Sequence, residues 1–405
     1  MNRQKITFIV FIAILVLAAY LRVDFLRSVD HEMPHDSINY DAMVRQLLEI
    51  GVYAYNDSSP NALVTPGYPL FMAAIYWLAA YPWNDPLPWI RMAQVLLSLL
   101  SVWMMYSITR QLSNTAGGLA AAFLAAVYPP FVWANGAILT EVLGIFLLLG
   151  YLWVQLRVFR SPTTLSALAA GILLGLTVLV RPEYLPLLVV NYLFYWAWKK
   201  KAKEILKLFA LSCLGLVLIL MPWWIRNVVT LDEWVVTATQ ANPFKAGTYP
   251  YKNYSDGLID ESGKTEMEVA VERLKTGFST QPWLFIKWYT VGKLQYLYYH
   301  VYYGGGHQPF YNVFPSWVNP NTIHRVLILL GGLAALAISL RWRQLTALLV
   351  VIVATITLIR LGFVPEYRYN VMTMPLIIMI NCIVGVQAWQ WLSAKRSLRA
   401  NKIEG

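Results

Sequence analysis

Two acids and a scatter of arginines could carry chemistry in this chain, because charge is scarce in it as a whole. Asp36 lies in HEMPHDSINYDAMVRQLLEIG (31–51), a stretch crowded with His, Glu and Asp in a protein that is only 13% charged. A carboxylate there, beside His35, can cap a helix or accept a proton from a hydroxyl. Ser37 can cap in its place, which frees Asp36 for the second task. Asp41 follows five residues later, about 140° round a helix, so the two acids do not share a pocket unless the helix starts after Asp36. Glu141, in ANGAILTEVLGIF, borders an apolar run, where a charge costs about 3 kcal/mol unless it is paired or solvated. Arg181 and Glu183 in VLVRPEYLP, Arg226 in MPWWIRN, and Arg360, Glu366 and Arg368 in LIRLGFVPEYRYNVMTMP also sit at the ends of apolar runs. One such arginine is an ordinary interfacial anchor. Several of them converging beside acids make an anion pocket, since guanidinium pairs phosphate through two parallel hydrogen bonds. The histidines 31, 35, 300 and 307 permit a divalent metal, with His35 and His307 as its candidate ligands.

The elements that must position these groups are membrane helices. The 405 residues are 58% hydrophobic, with 17 Trp and 25 Tyr, and the mean hydropathy is +0.51. A soluble domain of this size does not need so much apolar surface, so the chain reads as an all-α, polytopic membrane protein. Apolar runs at 6–22, 88–108, 115–133, 138–156, 165–180, 184–198, 205–225, 323–340, 344–360 and 371–391 predict about ten transmembrane helices, each facing ~30 Å of hydrocarbon. With the N-terminus inside, half of the 32 Lys and Arg fall in the inner segments, against only Glu204 and Glu404 of the 21 acids. This asymmetry predicts both termini in the cytoplasm, and the membrane is expected to be the plasma (inner) membrane. It also removes the nucleic-acid reading that a net charge of +11 invites. Cys213 and Cys382, each inside an apolar run, show no disulfide or metal pattern.

One integral domain, 1–405, then has two large outer loops, 23–86 and 227–321, and every inner loop is short. Chemistry is expected outside. In the first loop, Tyr40, Met43, Val44, Leu47 and Leu48 form one apolar stripe, with Asp41, Arg45 and Glu49 opposite. This pattern predicts an amphipathic helix, with Asp36 or Ser37 as its cap and Gly51 as its stop. TPGYPLFMAAIYWLAAYPW (65–83) is apolar but broken by prolines, which suits a re-entrant or interfacial helix. QPWLFIKWYTVGKLQYLYYHVYYGGGH (281–307) is aromatic at nearly every turn and reads the same way, or as an aromatic belt with no ligand.

Taken in order, HDSINYDAMVRQLLEIG, TPGYPLF, WIRMAQVLLSLL, LTEVLGIFLLLG, VLVRPEYLPLL, PWWIRN and PEYRYNVMTMP resemble the membrane glycosyltransferases of the GT-C superfamily. The likeness is to the family 39 group, which holds the protein O-mannosyltransferases and the aminoarabinose transferases of lipid A. The resemblance implies a GT-C-like helix bundle that moves a sugar from a polyprenyl-phosphate donor to a lipid, glycan or protein hydroxyl on the outer face. It matches Asp36 to the group's catalytic acid and Tyr40 to the Tyr that follows it, although Ser37 stands where a Glu is frequent. It matches Glu141 to a second acid and Arg181 to a basic residue near the lipid phosphate. His35, Tyr40, Asp41, Arg181, Glu183, Arg226, Glu366 and Arg368 are then expected around the substrates. The reaction would be an inverting single displacement with Asp36 as base, and a basic group (Arg181, Arg226 or Arg368) would stabilise the departing lipid phosphate. Acceptor recognition falls to the outer loops or to another protein. A transporter or flippase of a lipid-linked sugar is the alternative, but it would favour charges at mid-span, where these runs have almost none. A membrane scaffold or receptor is a third reading.

Overall fold

The structure, a computed structural model, describes residues 3–239, 241–301 and 311–403, and all regular structure in them is helical. In chain order the helices are α1 (Arg3–Ser28), α2 (His35–Ile50), α3 (Gly67–Leu78), α4 (Leu87–Leu112), α5 (Thr115–Val127), α6 (Pro129–Trp133), α7 (Glu141–Arg160), α8 (Thr164–Val180) and α9 (Leu187–Lys199). They continue as α10 (Ala202–Leu231), α11 (Ala241–Gly247), α12 (Glu266–Thr280), α13 (Pro282–Lys287), α14 (Lys293–Tyr298), α15 (Pro320–Ser339), α16 (Ala347–Leu361) and α17 (Met374–Ile403).

The helical membrane architecture stands, but the ten expected spans are not all full length. Among the described residues, 6 helices are long and apolar enough to cross a membrane: α1, α4, α7, α10, α15 and α17. The runs at 115–133, 165–180, 184–198 and 344–360 become the shorter helices α5, α8, α9 and α16. The first of these runs divides for a local reason. Tyr128 precedes Pro129 and Pro130 and is forced to an extended conformation, ψ 115, because a residue before proline is pushed out of the helical region.

The core lies where α1, α4, α5, α7, α8, α10 and α17 meet, around Tyr151, Leu148, Leu152 and Met379. Small residues bring α8 and α10 together. A Cβ on Gly171 would sit 2.0 Å from the Ser212 carbonyl oxygen, and one on Gly215 would sit 2.3 Å from that of Leu168. Only glycine admits this approach, which replaces side-chain packing by backbone contact.

Helix α2 follows its stripe in part. Met43 and Val44 are buried, whereas Leu48 is 43% exposed. Gly51 ends the helix in the left-handed region, φ 74, and its N–H reaches the Leu47 carbonyl. The capping expectation is corrected: the N-cap is Pro34, with no side-chain cap. Ser37 is fully buried and its hydroxyl donates to the Ile138 carbonyl at 3.0 Å, so it ties α2 to the segment before α7. Of the expected helix at 281–307, the described part contains α13, a wider π turn at Trp288–Gly292, and α14, while residues 302–307 lie outside the described residues.

Candidate active site

Four segments far apart in sequence meet at one end of the bundle: the start of α2, the start of α7, the turn Pro182–Tyr184 between α8 and α9, and the turn Tyr367–Met372 before α17. The cavity they enclose with neighbouring loops holds about 430 Å³, and Tyr40, Arg181, Glu183, Arg360, Arg368 and Tyr369 are in its wall. Its remaining lining is largely apolar, including Leu63, Val64, Leu139, Leu185, Ile359 and Phe363.

The acids around it grade from closed to open. Glu141 is deepest, 2% exposed, and accepts from Arg181 Nη2 at 2.6 Å. Glu183 comes next, 18% exposed, 3.3 Å from Arg360 Nη2 and 4.0 Å from Arg181 Nη1. Burial pushes the Glu183 carboxyl up, but Arg181 and Arg360 together outweigh it and hold the group below the ordinary value of 4.5. Asp36 is the most open, 34% exposed, with Arg368 Nη1 2.5 Å from its Oδ2. The Tyr55 hydroxyl approaches Asp36 Oδ1 at 3.4 Å. Burial, then the Asp36 carboxylate, push the Tyr55 phenol up to about 12, so it remains a donor.

Three guanidinium groups surround one ring. The Tyr369 centroid lies 5.6 Å from Arg181, 5.7 Å from Arg360 and 5.5 Å from Arg368. Arg360 is anchored by the Tyr369 carbonyl at 2.5 Å and the Thr373 hydroxyl at 3.0 Å. Yet the Nε atoms of Arg181 and Arg360 are buried without a hydrogen-bond partner, as is Glu141 Oε2. Unspent buried donors are costly, and the three guanidinium groups put positive charge in the cavity wall.

Not every expected residue comes to this place. Asp41 turns the other way, to Arg45 Nε at 2.9 Å and the Tyr76 hydroxyl. Arg226 clamps the first large loop instead, donating to the Tyr53 carbonyl at 2.8 Å and the Asn61 carbonyl at 2.9 Å. Glu366 pairs with Lys252. His35 is exposed at the first position of α2, and His307 lies outside the described residues. Residues 31–35 spell H-E-x-x-H, a zinc pattern that works when both histidines share one helical face. Here the helix begins at His35, and among the described residues no three His, Cys, Asp or Glu gather as a metal site. Tyr40 is in the wall, its ring 5.3 Å from both Tyr55 and Tyr68. Tyr55 and Tyr369 had no signal beyond their place among the many tyrosines.

Residues 66–225 match the model of the family described as dolichyl-phosphate-mannose-protein mannosyltransferase. Among solved structures, the chain is similar to the archaeal oligosaccharyltransferase AglB from Archaeoglobus fulgidus in complex with an inhibitory peptide and a dolichol-phosphate. The TM-score is 0.62 at 13% identity, covering 98% of this chain and 52% of that one. The fold is that of the GT-C glycosyltransferases. The apo form of the Archaeoglobus fulgidus oligosaccharyltransferase is also similar, with TM-score 0.60 and 15% identity over 98% of this chain and 52% of that one. ArnT from Cupriavidus metallidurans bound to undecaprenyl phosphate gives a TM-score of 0.45 at 14% identity, over 94% and 78%, too slight to argue from. The chain thus spans about half the length of the first two structures. No curated protein sequence matches. Within this GT-C fold, the family match contains Glu141, Arg181 and Glu183, while Asp36, Arg360 and Arg368 fall outside it.

Proposed function

We propose that the chain is a glycosyltransferase that takes a sugar from a polyprenyl-phosphate donor and delivers it to an acceptor hydroxyl on the outer face of the membrane. The observation that carries this reading is the pairing of the open carboxylate Asp36 with Arg368 at a cavity whose wall holds Arg181, Arg360 and Arg368. The apolar part of the wall suits the start of an isoprenoid chain, and the guanidinium groups suit its phosphate. The GT-C fold supports the same class of reaction, and the charge asymmetry of the loops supports the outer face.

In this reading Asp36 accepts the proton of the acceptor hydroxyl as its oxygen bonds to the anomeric carbon. The bond from that carbon to the phosphate oxygen breaks on the opposite side, and the electron pair leaves with the lipid phosphate. The configuration inverts. Charge grows on the departing phosphate, where preorganised cationic donors lower the barrier. The arriving phosphate also competes with Asp36 for Arg368, so donor binding would release the base. Glu141, paired with Arg181 well inside, orients that guanidinium.

Asp36→Asn should lower transfer from a radiolabelled polyprenyl-phosphate sugar by at least about 1,000-fold, the upper part of the range for losing a general base and its charge. Retention of labelled polyprenyl phosphate should persist in the same variant. Turnover within a few-fold of the native chain would remove Asp36 from the mechanism. Exchange of the labelled lipid between leaflets without transfer would mark a transporter instead.

A further inference from the structure

The turn that supplies Arg368 to the cavity also reaches a second surface. In Tyr367–Met372, Arg368 faces Asp36, while Tyr367 stacks on Tyr296 of α14, with centroids 5.9 Å apart and planes 5° from parallel. Lys252 pairs with Glu366 and lies 5.5 Å over the Tyr296 ring. Beside them the loop around residue 250 presents Tyr251, 40% exposed, and Tyr254, 56% exposed.

This surface is built and not incidental. Tyr251 and Lys252 are adjacent non-glycine residues in the left-handed region, φ 53 and φ 60, a conformation that persists only when its surroundings enforce it. The enforcement is visible beneath. Tyr251 packs on Trp288 at 5.3 Å, and the buried Trp288 indole donates to the Gly247 carbonyl at 2.9 Å. Arg273, 1% exposed, holds Asp256 through two hydrogen bonds of 2.9 and 2.5 Å.

We propose that Tyr251, Tyr254, Tyr296 and Tyr367, with the Lys252–Glu366 pair, form the platform on which a glycan acceptor is held. This inference rests on the transferase reading and narrows its acceptor class. A pyranose has a C–H face that lies against an aromatic ring and a rim of hydroxyls that seeks charged and phenolic partners. Tyr251 and Tyr254, exposed beside the Lys252–Glu366 pair, offer both at little conformational cost. A peptide docking by strand pairing needs a sheet edge, and the described residues contain no strand. Tyr367 and Arg368 are consecutive, so the platform adjoins the cavity where Arg368 meets Asp36.

The test is retention of the detergent-solubilised, fluorescently labelled full chain on an array of immobilised oligosaccharides with immobilised peptides alongside. The native chain should be retained by a subset of the oligosaccharides. Tyr254→Ala should weaken that retention at least tenfold at an unchanged melting temperature, and Tyr254→Phe, which keeps the ring, should recover most of it. Retention by peptides alone, or equal glycan retention by Tyr254→Ala, would overturn the platform. Glycan retention without any sugar transfer by the native chain would uphold the platform and discard the transferase reading.

Discussion

Arg22 in α1 and the cavity's Arg181 and Arg360 are all withdrawn from solvent, but they spend their donors in opposite ways. Arg22, 0% exposed, donates from Nε to the Ser98 hydroxyl at 2.7 Å, and from Nη1 to the Ala18 and Ala126 carbonyls at 3.0 and 3.1 Å. Its Nη2 donates to the Ala125 carbonyl at 3.1 Å. The carbonyls of Ala125 and Ala126 end α5, where residues four further along would supply the next N–H groups. Those residues are Pro129 and Pro130, which have none. Arg22 therefore replaces two missing backbone donors, and each of its nitrogens is used. Arg181 and Arg360 instead face Glu141 and Glu183 and keep an Nε unspent. A guanidinium saturated by neutral acceptors is a structural part, whereas one held by acids in a cavity wall is, on the proposed function, a candidate partner for the donor phosphate.

That contrast can be broken most directly at Arg22. Arg22→Met should cost about 3 kcal/mol or more, because several buried acceptors lose their donor at once, and thermal unfolding in detergent reads the loss. Adding Pro129→Ala and Pro130→Ala restores backbone N–H groups and should return about half of the lost stability, since the three positions act as one network. No recovery would mean that Arg22 is not a substitute for those donors.

At the cavity the expected order of stability and activity reverses. Arg181→Gln leaves Glu141 buried and uncompensated and should cost about 3–5 kcal/mol, whereas the double change Glu141→Gln with Arg181→Gln should recover most of that loss. Transfer should stay low in both. Full activity in the stable double variant would show the pair to be as purely structural as Arg22.

The smallest effect is a pH dependence. The folded-state pKa of Glu183 is depressed, since Arg181 and Arg360 outweigh burial. Its stabilisation is therefore present above the ordinary value of 4.5 and lost as pH falls through the folded value. The stability gap between the native chain and Glu183→Gln should narrow as pH drops below that ordinary value. A gap independent of pH would show that the charge of Glu183 is not what matters.

Much was legible before any coordinates. The apolar runs and their charged ends announced helices and membrane, and Gly51 marked the end of α2. Arg181, Glu183, Arg226, Arg360, Glu366 and Arg368 were expected on one side, and the structure brings Arg181, Glu183, Arg360 and Arg368 of them to one cavity. Less visible was which charge takes which partner. Ser37 looked like a cap, but its acceptor is the carbonyl of Ile138, in a segment that sequence distance hides. Arg226 looked equivalent to Arg181, yet it is consumed by the carbonyls of Tyr53 and Asn61.

Composition and periodicity by themselves determined an all-helical membrane chain, because hydrocarbon leaves backbone polar groups no other partner. The tertiary structure alone decided that Asp36 is the open acid, that Glu141 is the closed one, and that Tyr367 and Arg368 serve two neighbouring surfaces. The physical reason is reach. Long charged side chains choose among acceptors brought together from distant parts of the chain, and no local pattern encodes which acceptors those will be.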